Sequence, residues 1–134
     1  MRVTKTPMHV VLITGTREAI GPKTKRAIQD ALAGADLLIV GDCPTGVDRY
    51  ALGVAQTEGI NYERHEADWD RWGRSAGPRR NRDMVYRAVD LLARGHHVEC
   101  AAFPGPKSVG TRDCMTQATG EGIPVHETIA EVVP

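Results

Sequence analysis

Apolar residues are distributed along the chain in two alternating patterns, as short continuous runs and as longer stretches with a three- to four-residue spacing. Continuous runs are typical of strands buried on both faces of a parallel sheet, and the first, second and fourth runs have this character. The third run, INYERHEA, alternates polar and apolar residues, which favours an edge strand. The pattern predicts five strands, over residues 9–15, 36–41, 60–67, 97–103 and 123–129.

Between these runs, apolar residues at helical spacing predict four helices. Pro22 lies in the first turn of the first helix, and Gly59 and Gly95 end the second and the third. The four stretches read GPKTKRAIQDALAGA, GVDRYALGVAQTEG, PRRNRDMVYRAVDLLARG and TRDCMTQATGEG. Strands that alternate with helices predict an α/β fold, a doubly wound three-layer sandwich with a mainly parallel sheet of about five strands.

The length of 134 residues suits one domain, and no linker or internal repeat divides the series. We therefore predict a single domain over residues 1–134, with its core at about 9–127. The 17 Lys and Arg residues balance the 17 Asp and Glu residues. A net charge of zero argues against broad binding to nucleic acid or membranes, although a small basic patch remains possible.

The cysteines and the apolar runs bear on the location of the protein. No stretch is long and apolar enough for a secretory leader or a membrane span. The cysteines are odd in number and lack zinc-ligand spacing, so we predict free thiols and a cytoplasmic location. They are Cys43, Cys100 and Cys114. Neither a metal nor a cofactor is expected.

The loops at the two edges of the predicted sheet differ in length and composition. At the carboxyl edge they are long and rich in glycine, arginine and small polar residues: GTREAIGPK, GDCPTGVD, DWDRWGRSAGPRRN and PGPKSVG. At the opposite edge the connections are short turns such as TEGIN. Ligands of doubly wound sheets bind beyond the carboxyl ends of the strands, where the strand order reverses. We therefore expect the functional site at this edge.

The loop after the fourth strand is the main candidate for an anion site. Gly105 and Gly110 would let the backbone approach a ligand, and the amides of the following helix would point outward. Ser108 or Thr111 could donate a hydroxyl hydrogen bond. The same residues would also suit an ordinary helix start, with Gly110 in a left-handed turn and Thr111 as the cap. The sequence leaves both interpretations open.

The loop after the first strand contains Gly15, Thr16 and Arg17. In the usual order of such sheets the first and fourth strands are neighbours, so the Arg17 guanidinium could share an anion with the Gly110–Thr111 turn. An ordinary surface arginine is the alternative interpretation.

The loop after the second strand leads into a helix through Thr45 and Gly46, which are further candidates for ligand contact. Asp48 would lie in the first turn of this helix, where the helix dipole stabilises an acidic residue. In a functional interpretation, Asp48 or Asp42 accepts hydrogen bonds from sugar hydroxyls or a base. The two interpretations of Asp48 remain open.

The segment 67–84 has the most unusual composition. Two tryptophans, Trp69 and Trp72, lie near its start, and five arginines occur between residues 71 and 82 without an acidic residue among them. The arginines are Arg71, Arg74, Arg79, Arg80 and Arg82. Such a patch can stack a planar base and pair with phosphate oxygens, and Asn81 could add an amide contact. The alternative is a solvated helix start with Trp69 packed into the core.

Taken in order, the motifs GTR, GDCPTGVDRYA, ADW, AGPRRNRDM and FPG…VGTRD resemble the YspA-type (cpYpsA-related) branch of the SLOG superfamily, over about residues 9–127. The resemblance implies a Rossmann-like fold and a nucleotide-related ligand, with the glycine-threonine turn as its phosphate site. It also implies a homo-oligomer, because relatives of this fold commonly pair.

A second, more distant similarity is to the lonely-guy (LOG) phosphoribohydrolases, whose Arg-Lys-x-x-Met motif is matched here at Arg80 and Met84. Their Pro-Gly-Gly-x-Gly-Thr-x-x-Glu motif is altered, since Cys114 stands where the catalytic glutamate would be. Asp113 is the nearest acid. Cleavage of an N-glycosidic bond builds positive charge on the ribose and requires a carboxylate nearby, so hydrolysis is in doubt whereas binding is not.

The leading hypothesis is therefore a sensor or sequestering protein for a nucleotide or a nucleotide-derived signal, such as an ADP-ribose derivative or a cyclic nucleotide. In it, Gly105, Gly110 and Thr111 hold phosphate and Arg17 and Arg80 neutralise it. Trp69 or Trp72 covers the base, and Asp48 accepts a hydrogen bond from a hydroxyl.

Two alternatives belong to other classes of protein. The first is a nucleotide N-glycosidase, in which Arg80 orients the phosphate and Asp113 or Asp48 supplies the carboxylate. The second is a module for single-stranded nucleic acid, which the Arg/Trp segment would suit and the zero net charge disfavours.

Overall fold

The computed structural model describes residues 6–134 and has one parallel sheet of five strands in the order β3-β2-β1-β4-β5. The strands are β1 (His9–Gly15), β2 (Leu37–Gly41), β3 (Asn61–His65), β4 (His97–Phe103) and β5 (Val125–Glu127). The helices are α1 (Pro22–Leu32), α2 (Gly46–Glu58), α3 (Trp69–Trp72), α4 (Ala76–Ala93) and α5 (Val109–Gly120). The predicted α/β, Rossmann-like architecture is confirmed.

Two apolar layers enclose the sheet, because successive side chains of a strand point to opposite faces. On one face, Val11 and Ile13 of β1 pack with Ile28 of α1 and Val47 of α2. On the other face, neighbouring strand residues pack against α4 and α5, as Leu12 of β1 does. The sheet is therefore buried between two helical layers, as the three-layer prediction requires.

The strand bounds follow the sequence pattern closely where the strands are central. β1 and β4 match their predicted ranges, and β2 starts one residue later than expected. β3 is an edge strand with mostly exposed side chains, as its alternation predicts. β5 is shorter than its predicted range of 123–129, since only three residues pair with β4.

A short helix was missing from the sequence prediction. Asp68 caps α3, because its Oδ1 accepts a hydrogen bond from the Arg71 backbone N–H at 3.1 Å. A 3-10 turn over Gly73–Ser75 then leads directly into α4, which begins two residues before the predicted Pro78. Four residues are too few to show a recognisable helical period, which explains the omission.

The segment after β5 extends the packed part of the chain beyond residue 127. Ala130 donates its backbone N–H to the Pro104 carbonyl at 2.8 Å, and Glu131 accepts the Gly21 N–H at 2.8 Å. The Glu131 N–H in turn bonds the buried Thr24 hydroxyl at 2.7 Å. This segment ties the loop after β4 to the start of α1. The predicted domain also includes residues 1–5, which lie outside the described residues.

The three cysteines carry free thiols. Cys100 and Cys114 are buried beside the sheet, where burial raises the pKa of the Cys114 thiol to about 12 and raises that of Cys100 further still. Both are therefore protonated and unreactive at neutral pH. Across residues 6–134, every helix is too short or too polar to cross a bilayer.

Candidate functional site

A cavity of about 380 Å³ lies at the carboxyl edge of the sheet, where β1 and β4 end side by side. The loops after β1, β2 and β4 form it together with the first half of α4. Its walls include Gly15, Thr16, Arg17, Asp48, Arg80, Asn81, Ser108, Gly110 and Thr111. This is the strand-order reversal at which doubly wound proteins hold their ligands.

The β1–α1 loop is held against the start of α2 by hydrogen bonds. The Val47 N–H donates to the Thr16 carbonyl at 3.0 Å, and the Thr45 hydroxyl donates to the Arg17 carbonyl at 2.7 Å. Gly46 has a φ of +69°, and a side chain there would collide with the Thr16 carbonyl. Thr45 and Gly46 therefore build the loop behind the cavity and do not line it.

The start of α5 forms the end of the cavity with the strongest preference for an anion. The backbone N–H groups of Gly110 and Thr111 donate to no acceptor within residues 6–134, and the Ser108 hydroxyl accepts the Gly105 N–H at 2.7 Å. The unpaired amides and the positive end of the helix dipole therefore face the cavity. Gly105 supports this loop from behind, close to the Thr16 side chain.

Thr111 is 5% exposed, yet its hydroxyl has no hydrogen-bond partner in the described part of the chain. No side-chain oxygen of that part is both fully buried and unpartnered, so the Thr111 Oγ1 reaches the cavity. A hydroxyl that reaches a cavity without a protein partner is left to water or a ligand.

This geometry corrects the alternative interpretation of the loop. α5 begins at Val109, two residues before Thr111, and Gly110 has no left-handed backbone conformation. The alternative in which Gly110 makes a left-handed turn and Thr111 caps the helix is therefore wrong.

Cationic side chains at the cavity fall into two kinds. Arg17 and Lys107 are exposed at its mouth and have no carboxylate partner within residues 6–134. Arg80 is part of the wall, and its Nη1 donates to Asp42 Oδ1 at 2.7 Å while its Nε donates to Asn81 Oδ1 at 3.0 Å. Arg17 and Lys107 are thus available to a ligand, and Arg80 is already engaged.

Asp48 is the buried carboxylate of the cavity. It is 8% exposed, and its Oδ2 accepts the Cys43 N–H at 3.3 Å. Burial raises the pKa of this carboxyl to about 6, although the nearby positive charges of Arg80 and Arg17 oppose the rise. Oδ1 accepts no hydrogen bond from the described residues and therefore faces the cavity, where a ligand hydroxyl could donate to it.

Asn81 and Asp113 join α4 to α5. The Asn81 Nδ2 donates to the Gly110 carbonyl and to Asp113 Oδ2, both at 3.1 Å, and Gln117 also donates to that oxygen at 2.9 Å. Asp113 does not line the cavity, and Asn81 is committed to its protein partners. Of the two candidate carboxylates, Asp48 is the one the fold directs into the cavity.

The Arg/Trp segment lies largely outside the cavity. Trp69 is 50% exposed, so its packing into the core is wrong, and it borders a separate shallow hollow over residues 66–70. Trp72 is also exposed. Of the arginines in this segment, Arg80 alone lines the cavity. Neither tryptophan lines it, so the expectation that Trp69 or Trp72 covers a base bound there is wrong.

The sequence reasoning missed several residues of the cavity wall. Lys107 and Val109 belong to the loop already singled out, and their position between Gly105 and Gly110 was an available signal. The remaining ones carried no local signal, because contacts across the fold place them there. They are Thr14, Glu18, Cys43 and Met84.

A larger, open groove of about 1000 Å³ runs between α1 and α2. Most of its walls come from small or apolar side chains, and two of its polar groups, Gln29 and Tyr50, bond each other at 2.5 Å. Among residues 6–134 no buried carboxylate lines this groove, so the smaller cavity at the carboxyl edge, which holds Asp48, is the better candidate site.

Together, the fold and the cavity define a Rossmann-like α/β protein with a cavity at its strand switch point. The chain is 40% identical over 130 residues to the Gene 61 protein of Mycobacterium phage D29, a match that covers 88% of this chain and 94% of that protein. The chain therefore belongs to the family of this phage protein. No family model matches it.

Proposed function

We propose that this protein binds a nucleotide or a nucleotide-derived signalling ligand, such as an ADP-ribose derivative or a cyclic nucleotide, as a sensor or sequestering protein. The resemblance to SLOG domains favours the same class of ligand. A cavity of about 380 Å³ falls within the range of small-molecule sites, roughly 300–1,000 Å³.

The start of α5 is the observation that carries this proposal. The open amides of Gly110 and Thr111, the unpartnered Thr111 hydroxyl and the free cations Arg17 and Lys107 all line the same cavity. Backbone N–H groups at a helix start combined with unpaired cations are a typical phosphate-binding arrangement. A phosphate there would satisfy the groups that the protein leaves open.

The buried carboxylate of the cavity favours a ligand that also carries hydroxyl groups. Asp48 offers Oδ1 to the cavity, and a carboxylate oxygen accepts hydrogen bonds from sugar hydroxyls. Phosphate and hydroxyl groups together are the polar features of a nucleotide. Met84 adds an apolar surface to the cavity wall.

Calorimetric titration tests this proposal with AMP, ADP-ribose, cyclic ADP-ribose, NAD and inorganic phosphate as probes. We expect at least one nucleotide to bind, with about tenfold weaker affinity in Thr111→Val and in Arg17→Ala. Arg94→Ala removes an arginine paired with Asp90 at the far end of α4 and is the matched control. If no probe gives heat or a thermal shift, the proposal is wrong.

A second candidate function, N-glycosidic hydrolysis, is favoured by Asp48 alone. This carboxyl is buried, faces the cavity and has a pKa of about 6, so it can exchange a proton near neutral pH. Release of free base from a nucleotide panel tests it. We expect Asp48→Asn to abolish release and Asp113→Asn to retain it, because Asp113 is bonded to Asn81 and Gln117.

A cytoplasmic homo-oligomer belongs to the same proposal, on the basis of the resemblance. Light scattering coupled to gel filtration measures its mass. A mass equal to that of one 14.6 kDa chain at micromolar concentration would contradict it.

A further inference from the structure

The structure leaves a cluster of cations and indole rings outside the cavity, which we call the Arg/Trp surface. It comprises Trp69, Arg71, Trp72, Arg74, Arg79 and Arg82. All six side chains are exposed, on α3, the 3-10 turn and the outer face of α4. None of them lines the cavity at the carboxyl edge, so the proposed nucleotide site does not account for them.

The arginines of this surface differ from most others in the chain. Arg64, Arg80, Arg87, Arg94 and Arg112 each form an ion pair with a carboxylate. Within residues 6–134, the four arginines of the Arg/Trp surface form none, although Asp68, Asp70 and Asp83 are near in sequence. Their charge is therefore available to an external anion.

Trp72 organises two of these cations. The guanidinium of Arg79 lies 3.6 Å from the centre of its ring, and that of Arg71 lies 4.6 Å away. The Ser75 hydroxyl accepts a hydrogen bond from Arg79 Nε at 3.2 Å and helps to hold this stack. Stacked guanidinium groups keep their N–H donors free at the rim, so the surface offers planar faces and phosphate donors together.

Trp69 adds a second planar group that is half exposed. Its ring packs at one edge on Gly77, where an added Cβ would lie 3.3 Å from the ring. Both tryptophans of the chain are therefore at one surface, whereas the sheet core uses aliphatic side chains and Phe103. Exposed tryptophan beside arginine is the composition of a binding surface and is unfavourable for a merely solvated one.

We propose that the Arg/Trp surface binds single-stranded nucleic acid. Arg79 and Arg82 lie one turn apart on α4, so both can contact one phosphate backbone, and bases stack on Trp69 or on the Trp72 layer. A surface that recognised only acidic protein segments would need the charges but not the two indoles. Because the net charge is zero, the attraction is local to this surface.

Fluorescence anisotropy with a labelled oligo(dT) tests the proposal across a range of salt concentrations. We expect the Arg79→Ala/Arg82→Ala double variant to bind about tenfold more weakly. Its log affinity should depend less steeply on log salt, by about 1.4, since each single-strand phosphate contact contributes about 0.7. Arg94→Ala alters the C-cap residue of the same helix, outside the Arg/Trp surface, and should bind as the unaltered protein does.

Intrinsic fluorescence supplies an independent measurement, because the two tryptophans of the chain both belong to this surface. We expect oligo(dT) to quench it, and Trp69→Phe and Trp72→Phe to show which indole stacks. The melting temperature of each variant identifies any loss of folding. Salt-insensitive binding, unchanged affinity in the double variant, or equally tight binding of polyglutamate would overturn the proposal, whatever the cavity binds.

Discussion

Helices α2 and α5 both begin at the carboxyl edge of the sheet, and both have a glycine and a threonine near their first turn. At α2 the Thr45 hydroxyl donates to the Arg17 carbonyl and the Val47 N–H donates to the Thr16 carbonyl, so this helix start is held against the β1–α1 loop. At α5 the Gly110 and Thr111 amides lie at the cavity without a partner among residues 6–134.

The two helix starts differ in what surrounds them, and only a start that opens onto a cavity is available to a ligand. The first-turn amides of every helix require partners, and a neighbouring loop, a side chain or a ligand can supply them. At α2 the neighbouring loop accepts the Val47 N–H and holds the helix start in place, and the acid Asp48 lines the cavity. At α5 the Val109 N–H bonds the Lys107 carbonyl, whereas the Gly110 and Thr111 amides lie at the cavity without a partner among residues 6–134.

The largest expected effect concerns Asp48, the acid in the first turn of α2. Its pKa of about 6 lies above the ordinary carboxyl value of about 3.9, so the folded state binds the proton more tightly than the unfolded state. The folded protein is therefore destabilised as pH rises from about 4 to about 6, by up to about 3 kcal/mol above that range. Asp48→Asn should remove this loss.

Urea unfolding at pH 3.5 and pH 7.5 measures this effect. We expect Asp48→Asn to be more stable than the unaltered protein at pH 7.5 and to differ little from it at the lower pH. Asp83→Asn replaces an exposed acid on α4 and serves as the control. Equal pH dependence in Asp48→Asn and in the unaltered protein would show that Asp48 ionises at ordinary pH.

The second prediction concerns Gly46, the first residue of α2. Gly46→Ala places a side chain at φ +69° and against the Thr16 carbonyl, so we expect a loss of at least about 2 kcal/mol in unfolding free energy. Gly53→Ala is the matched control within α2, since no atom lies within 4 Å of its added Cβ. It should stabilise the protein by about 0.5–1 kcal/mol, as alanine does in a helix. Similar losses in both variants would contradict the close approach at Gly46.

A third prediction compares two buried threonines. Thr24→Val leaves the Glu131 N–H without its acceptor and should cost about 1.5 kcal/mol in thermal or urea unfolding. Thr111→Val removes a hydroxyl without a protein partner, so its cost should stay below about 0.5 kcal/mol. A destabilisation of Thr111→Val as large as that of Thr24→Val would mean that the protein itself satisfies the Thr111 hydroxyl.

The smallest expected effect concerns Thr45, whose hydroxyl donates to the Arg17 carbonyl. Thr45→Val keeps the shape of the side chain and should lower stability by about 1 kcal/mol, the net contribution of one neutral hydrogen bond. Because the bond holds the loop that carries Arg17, phosphate affinity should also fall. Urea unfolding and calorimetry measure the two effects, and an unchanged affinity would show that the loop stays in place without this bond.

Local patterns predicted the fold well because burial on a sheet imposes short periods on the sequence. The apolar runs of β1 and β4 gave their bounds correctly, and the alternation in β3 identified an edge strand. The short helix α3 was missed, because a single turn has no period to detect. The segment after β5 was underestimated, since its anchors at Gly21 and Thr24 lie about a hundred residues away.

The candidate site was predicted less completely than the fold. The sequence indicated that the loops at one edge of the sheet would converge, and Arg17, Arg80 and Thr111 do line one cavity. It did not indicate that Arg80 is engaged by Asp42, or that Asp113 turns towards Asn81. Those partnerships join residues 32 to 38 positions apart, which no local pattern encodes.

By itself, then, the sequence determined the alternation of strands and helices, the two-sided burial of the sheet and the edge at which polar loops gather. Tertiary structure alone decided which helix start presents its amides to the cavity, which carboxylate is buried against the cavity and which arginines remain outside it. The physical reason is that periodicity follows from burial along one element, whereas the state of a polar group depends on its partner. Such partners come from other parts of the chain.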